Sequence, residues 1–364
     1  MDPVTLGMAK ADAKRKYAPV NPSVSNRASF AKAKAAVGVG AAFMAERTIV
    51  CIGESTVEGF NFDRSKQSFP AHLIRILTGM GFTAEPGWVY CVANAAASTW
   101  DPRWTGLTAK YAAQGSSHIS QVTNAVPVLF TSINKGTVVE FIRTGAHPGY
   151  SYSIDGGAPV NVPAGGTAGV YEKVTVSGLP DATHALTFTS ASTTPTYLVA
   201  ARVSTPNALN LVNAGFGGSK ISAWKSVQDY SLRTSSMANG IVRFDAVLLS
   251  CIINDALVLT DPAAYAADLT SVVRSFTTGG GVVALVIPIQ PDPAGSPAVP
   301  DASWKALVAA TYSVANTQGL AVIDVDAYVG GRTAAVANGL MSDSLHPSPS
   351  GYLHMAQAVA QLFA

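Results

Sequence analysis

The first sign of chemistry is the stretch "MSDSLHPSPSGY", which sets Asp343 three residues before His346 and follows the pair with Pro347, Pro349 and Gly351. Only six histidines occur in the 364 residues, so a histidine spaced this way from an aspartate invites a chemical reading. An imidazole titrates near neutral pH and can act as a general base. A carboxylate beside it can fix the ring tautomer and favour the imidazolium that forms. The pair still needs a nucleophile. "CIGESTVEG" offers Ser55 directly after an apolar run. A serine hydroxyl attacks a carbonyl only when a base takes its proton. "NAGFGGSK" and "IINDA" add backbone N–H groups and an uncharged amide, Asn254, which can donate to developing negative charge.

Taken singly, each residue has a plainer reading. Ser55, two positions after Gly53, is a helix N-cap. Gly215, Gly217 and Gly218 make a strand-to-helix turn, or an incomplete phosphate loop with no Lys-Ser/Thr signature behind it. Asn254 and Asp255 make an Asx-turn. His346 alone is structural. The joint occurrence carries the chemical reading, and it requires elements that bring these segments together.

Those elements are legible. "RTIVCIG", "LNLVNAG", "FDAVLLSCIIN", "GGVVALVIP" and "LAVIDVD" are apolar, β-branched runs that read as buried strands. "QSFPAHLIRILTGMGF", "DPAAYAADLTSVVRSF", "DASWKALVAATYSVANTQG" and "SPSGYLHMAQAVAQLF" have helical spacing, with Asp261 as a cap and Pro262 in the first turn. Strands alternating with helices predict an α/β fold, a doubly wound parallel sheet covered on both faces. Its functional groups belong at the C-terminal ends of strands. Ser55, the glycine segment, Asn254 and the Asp343–His346 turn all follow such strands or face them. Between Trp104 and Ser204 the texture changes to short alternating runs such as "GTVVEFIRTG" and "HALTFTSA", separated by "DGG" and "PAGG". That texture predicts an inserted β-sandwich, jelly-roll-like.

The order of these motifs resembles the SGNH hydrolases, the GDSL-type esterases. Gly53-Glu54-Ser55 is similar to the family's Gly-Asp-Ser element, with Glu in place of Asp. Asn213 to Gly218 is similar to its glycine element, Ile253-Asn254-Asp255 to its Gly-x-Asn-Asp element with Ile before the Asn, and Asp343-Ser344-Leu345-His346 to its Asp-x-x-His. The resemblance implies a flavodoxin-like SGNH hydrolase fold built from 46–103 and 207–364, around an insertion at 104–206 that is a candidate carbohydrate-binding unit. It implies a serine esterase with Ser55, Asp343 and His346 as catalytic residues. The Ser55 and Gly218 backbone N–H groups and the Asn254 amide would form the oxyanion hole. The expected substrate is a short acyl ester, such as acetyl, on a glycan or another envelope component. A long-chain lipase would need a wide apolar cleft, and no lid helix is legible. A non-catalytic glycan-binding or tail structural module with a degenerate SGNH fold is the rival reading. The N-terminal "LGMAKADAKRKYAP" resembles the beginnings of some phage tail proteins. It implies an anchoring arm over 1–45, other tail proteins as partners, a homo-oligomer and a place in the virion. The alternative is a secreted or cytoplasmic bacterial esterase.

Composition sets the outer bounds. Hydrophobic residues make up 48% and charged residues 13%, which favours a packed core over disorder. The net charge of +2, with no basic block, gives no footprint for nucleic acid. Cys51, Cys91 and Cys251 are too scattered for a disulfide scaffold or zinc site, and no cofactor or metal is expected. No run has the length of a membrane span. The Gly/Ala-rich 35–45 stretch follows a long polar segment with Pro19 and Pro22, which speaks against a signal-peptide core. Asp255 reads as support for the Asn254 loop, Trp224 as core, and His354 as packing or solvent-facing. His72, His118, His147 and His184 have no partner at a useful spacing.

Overall fold

The computed structural model describes residues 46–91, 101–111, 116–168, 170–225, 244–278 and 280–363; the arm expected over 1–45 lies outside them. The chain runs through β1 (Arg47–Gly53), α1 (Ser55–Glu58), α2 (Phe69–Gly79), β2 (Ala84–Pro86) and β3 (Val89–Tyr90). Ten strands follow: β4 (Trp104–Thr105), β5 (Thr108–Tyr111), β6 (Ser116–Val122), β7 (Val128–Thr131), β8 (Val138–Thr144), β9 (Tyr150–Ile154), β10 (Val160–Val162), β11 (Tyr171–Val176), β12 (Ala185–Ser190) and β13 (Thr196–Ser204). The α/β texture then resumes with β14 (Leu209–Asn213), α3 (Ile221–Lys225), β15 (Ala246–Ser250), α4 (Ile253–Leu257), α5 (Pro262–Thr278), β16 (Val282–Ile287), α6 (Asp301–Gln318), β17 (Ala321–Asp324), α7 (Val325–Val329), α8 (Gly331–Ala337) and α9 (Pro349–Ala360).

Six strands form a wholly parallel sheet in the order β17-β16-β15-β1-β14-β2. Successive side chains of a strand point to opposite faces, and both faces are covered. Ile49 and Cys51 therefore enter one core, with Leu73 and Leu77 of α2 and Tyr352, Met355 and Val359 of α9. Val50 and Ile52 enter the other, with Leu269 and Val273 of α5 and Trp304 and Leu307 of α6. This explains why β1 reads as an unbroken apolar run. Asp261 accepts the N–H groups of Ala263 and Ala264, the cap that starts α5.

The topology matters most at β1. After β1 the sheet grows on one side through β14, then on the other through β15. Loops leaving the C-terminal ends of β1, β14 and β15 diverge there and leave a crevice between them. Cys51 lies opposite Asn213, and Gly53 opposite Ser250, so all three chains leave the sheet at one level.

Residues 104–204 form two antiparallel sheets, β10-β9-β12-β7-β4 and β11-β8-β13-β6-β5. Phe130, Leu186 and Phe188 from one meet Val139, Phe141 and Val203 from the other. A separate sandwich or jelly-roll domain, as expected from the sequence, is not evident. Ile142, Val199 and Ala200 face away from that core and pack with Val50, Val212 and Trp224 of the α/β part. Arg202 ties the parts further, pairing with Glu140 on β8 and with Glu46 just before β1.

Candidate active site

β1 ends at Gly53, where a Cβ would lie 2.2 Å from the Ser250 carbonyl oxygen. Only glycine fits between the strands at that point. The four-residue helix α1 then begins with Ser55, and Gly59 closes it at φ 88°. Ser55 is 7% exposed, and its Oγ lies 3.0 Å from His346 Nε2. His346 Nδ1 is 2.9 Å from Asp343 Oδ2. Asp343 Oδ1 also accepts the backbone N–H groups of Leu345 at 2.7 Å and His346 at 2.6 Å. Burial raises the Asp343 pKa, but the bonds from the His346 ring and from these N–H groups outweigh it and hold the carboxyl below its ordinary value.

The turn carrying this pair is closed at its base. Ser342 donates its N–H and its hydroxyl to the His346 carbonyl, and Met341 bridges Pro347. Ser348 then caps α9, with Pro349 at the first turn. The prolines therefore sit in the closure and the helix start. Phe60 stacks on the imidazole, with centroids 4.4 Å apart and planes at 26°. Asn61, in the left-handed region at φ 70°, brings Nδ2 to 3.5 Å from Asp343 Oδ2.

Opposite Ser55 lies the loop after β14. Ala214 and Phe216 donate to the carbonyls of Cys51 and Gly53, so the loop continues along β1. Gly215 N–H reaches Asn213 Oδ1 at 3.0 Å, Gly217 N–H reaches Glu58 Oε2 at 2.6 Å, and Ser219 N–H reaches the Phe216 carbonyl at 3.2 Å. Among the described residues, the N–H groups of Gly218 and Ser55 have no protein acceptor. Gly218 sits at φ 78°, and a Cβ built on it meets nothing within 4 Å. Its backbone borders open space.

Asn254 reaches the same edge, but its amide is engaged differently from the sequence expectation. Nδ2 donates to Glu54 Oε2 and to the Ser219 carbonyl, each at 3.0 Å. Two backbone donors are therefore free, and the third expected donor is already bonded. Glu54 is the reason. Its side chain, one methylene longer than Asp, reaches beneath the start of α4 and also accepts the backbone N–H groups of Ile253 at 2.9 Å, Asn254 at 3.0 Å and Ile252 at 3.4 Å. Complete burial pushes its pKa up to about 7, against the opposing effect of those N–H bonds. Ile253 packs into the core and its N–H joins the set.

Sequence reasoning missed Glu58, Arg64 and Phe60. Glu58 lies one helical turn after Ser55, the one spacing that pointed to it. Arg64 pairs with Glu58, six positions earlier, but its other partners lie about 150 positions away in the glycine loop, so nothing local marked its role. Asp255 accepts from Ile221 N–H and the Thr260 hydroxyl, steadying α3 and the turn after α4. Trp224 is core and donates to Ser219 Oγ. His354 bonds the Ser350 carbonyl within α9. His184 has a partner after all, Asp155, at 2.6 Å. All three cysteines are buried free thiols. Among the described residues, no helix is long and apolar enough to cross a membrane.

Comparison with known proteins adds to this geometry. Residues 175–353 match the family model of GDSL-like lipases/acylhydrolases. The match includes Gly218, Asn254, Asp343 and His346 but not Ser55. No curated protein matches the chain. Among solved structures, one titled "Peptidoglycan O-acetylesterase in action" aligns at 15% identity with a TM-score of 0.67, covering 93% of this chain and 97% of that one. A lipase/acylhydrolase from Enterococcus faecalis aligns at 23% identity and TM-score 0.35, covering 42% and 75%. An acetyl xylan esterase aligns at 18% identity and TM-score 0.35, covering 42% and 80%. The first of these shares the fold, the β-rich region included, since its coverage leaves no room to omit that region. The family match over residues 175–353 supports an SGNH/GDSL-type serine esterase.

Proposed function

We propose that Ser55, His346 and Asp343 act as a catalytic triad that removes short acyl groups, acetyl foremost, from a glycan of the cell envelope. One observation carries the reading: a hydroxyl, an imidazole and a carboxylate in line, at 3.0 and 2.9 Å. Neutral His346 donates from Nδ1 to Asp343 and accepts the Ser55 proton at Nε2. Ser55 Oγ attacks the ester carbonyl. The oxygen that becomes negative is met by the Ser55 and Gly218 N–H groups, and a single such donor is worth about 3 kcal/mol in the transition state. Asn254 completes the hole by sharing a proton now given to Glu54 or Ser219. The imidazolium then protonates the departing alcohol. Water, activated by the same His346, releases the acid from the acyl-enzyme.

The glycan substrate is supported by the fold held in common with a peptidoglycan O-acetylesterase over nearly the whole chain. The β-rich residues 104–206 are the proposed glycan-contacting part. The test is acetate release from O-acetylated peptidoglycan, with chemically de-O-acetylated material as control. Release by the wild type and none by Ser55→Ala is expected; equal turnover of p-nitrophenyl acetate by both proteins would refute the assignment. The proposed setting is a phage virion, with the N-terminal arm as anchor. It rests on the motif in residues 6–19, and absence of the chain from purified virions by mass spectrometry would remove it.

A further inference from the structure

Gly218 has no side chain by which its own N–H can be aimed, so the loop that carries it must be held by others. Two of its anchors are ordinary continuations of the sheet, the Ala214 and Phe216 bonds to β1. Further anchors come from a buried ion pair. Arg64 Nη2 donates to the Asn213 carbonyl at 2.9 Å, to Asn213 Oδ1 at 3.1 Å and to the Gly215 carbonyl at 3.4 Å. Arg64 Nη1 donates to Glu58 Oε1 at 3.2 Å, and Glu58 Oε2 takes the Gly217 N–H at 2.6 Å. The side chains of Arg64 and Glu58 are only 3% and 6% exposed.

The placement is specific. Glu58 closes the helix that begins with Ser55, so its carboxylate joins the nucleophile's helix to the peptide directly before the Gly218 donor. Spacing is tight: a Cβ on Gly215 would lie 2.2 Å from the Glu58 backbone nitrogen, and one on Gly217 would lie 2.8 Å from Glu58 Oε2 and 3.7 Å from Ser55 Cβ. A buried ion pair is weak evidence for stability, because desolvation offsets its attraction. The strength of this pair lies in geometry. One prong of the guanidinium fork, Nη2, holds two loop carbonyls while the other, Nη1, holds Glu58, whose carboxylate fixes one N–H.

We infer that Glu58 and Arg64 are positioning residues that set the Gly218 N–H at its working distance from Ser55 Oγ. The inference rests on the triad and oxyanion reading above. It is tested with Glu58→Gln, which removes the charge but keeps an oxygen acceptor, and with Arg64→Lys, which keeps the charge but loses the fork. Active sites are titrated to completion with a fluorophosphonate. kcat and KM for p-nitrophenyl acetate are then measured per titrated site, and thermal unfolding is recorded alongside. Each variant is expected to lose between tenfold and several hundredfold in kcat, up to the loss seen when one donor is removed outright, with KM within about threefold of wild type. A purely structural pair would shift the melting temperature or the titratable fraction but leave kcat per site unchanged. kcat per site within twofold of wild type in both variants overturns the inference, as does failure of both to fold, which would assign the pair to the fold. If the wild type is neither labelled at Ser55 nor active, the esterase reading fails first and this inference falls with it.

Discussion

Asp343→Asn isolates the contribution of the carboxylate without disturbing the turn around it. The amide oxygen of the new side chain can keep the Leu345 and His346 N–H bonds that Asp343 Oδ1 now accepts at 2.7 and 2.6 Å. Its NH2 group then stands where Oδ2 now faces His346 Nδ1 at 2.9 Å. Two donors cannot face each other, so the ring must carry its proton on Nε2, toward Ser55. The base is lost while the geometry stays. The same exchange in the worked example of serine proteases costs about 10⁴ in kcat, or roughly 5 kcal/mol at 1.36 kcal/mol per decade. Here the Asp343 side chain is 38% exposed, so water can take up part of the work, and a partly solvated charge-assisted bond is worth about 1.5–3 kcal/mol. The expected loss is therefore about 10- to 10⁴-fold in kcat, with little change in KM. The assay is p-nitrophenyl acetate hydrolysis at pH 7–8, with circular dichroism to verify folding. A loss under tenfold in a well-folded variant would refute the tautomer argument. Stability gives a second check. Because the folded Asp343 pKa lies below the unfolded one, its contribution is present above about pH 4 and is lost as pH falls through the folded value. The melting-temperature gap between wild type and variant should narrow in acid.

Gly215→Ala and Gly218→Ala separate space from backbone strain. The first places a methyl 2.2 Å from a backbone nitrogen and should lower both melting temperature and activity by at least the ~1–3 kcal/mol of ordinary overpacking; the second meets nothing and should cost about 1–2 kcal/mol for its φ of 78°. Equal melting temperatures for the two variants would contradict this. Among the described residues, the His184 ring is bonded by acceptors alone, Asp155 Oδ2 at 2.6 Å and the carbonyls of Gly136 and Pro180 at 3.0 Å. Burial lowers its pKa, but these bonds outweigh that and raise it. Its stabilisation is thus full below the unfolded pKa of about 6.5 and is lost as pH rises through the higher folded value. Urea titrations of wild type and His184→Gln should differ more at pH 6 than at pH 9. For Glu54 the folded pKa is pushed up to about 7, above the unfolded value near 4.3, so stability attributable to it falls as pH rises across that interval. Glu54→Gln should therefore gain on the wild type between pH 5 and pH 8 in thermal melts, and a widening deficit would contradict the burial argument.

Residues with local signatures were legible, and those placed by distant partners were not. The apolar run at β1, the Asp261 cap and the Asp343–His346 spacing each declare themselves within a few positions. "FDAVLLSCIIN" reads as one strand, yet β15 stops at Ser250 and α4 starts at Ile253. The cause is Glu54, whose carboxylate takes the N–H groups of Ile252, Ile253 and Asn254 from almost 200 positions away. Neither propensity nor periodicity encodes a cap delivered from another strand. β2 was hidden for a different reason. Pro86 argues against a strand, but β2 is the sheet edge, where the missing N–H is tolerated.

The distance between Ser55 and the rest of the site also has a structural explanation. About a hundred residues of β structure intervene between β3 and β14, which is why a family match can begin at residue 175 and miss the nucleophile. The interruption does not displace the site because its two ends meet. β13, the last strand of the β-rich region, pairs antiparallel with β3, the short strand that precedes it, Ala200 opposite Tyr90 and Ala201 opposite Val89. The chain thus returns beside the point where it left, and β14 begins five residues after β13 ends, in register with β1. A β-rich stretch closed in this way leaves the crevice at β1 intact. It also brings the outer face of β8 and β13 against the core beneath the glycine loop, through Ile142, Val199 and Ala200. The β-rich region is therefore packed onto the core that supports the site. A substrate that touched it would be bound to a surface packed directly on the α/β core that carries Ser55.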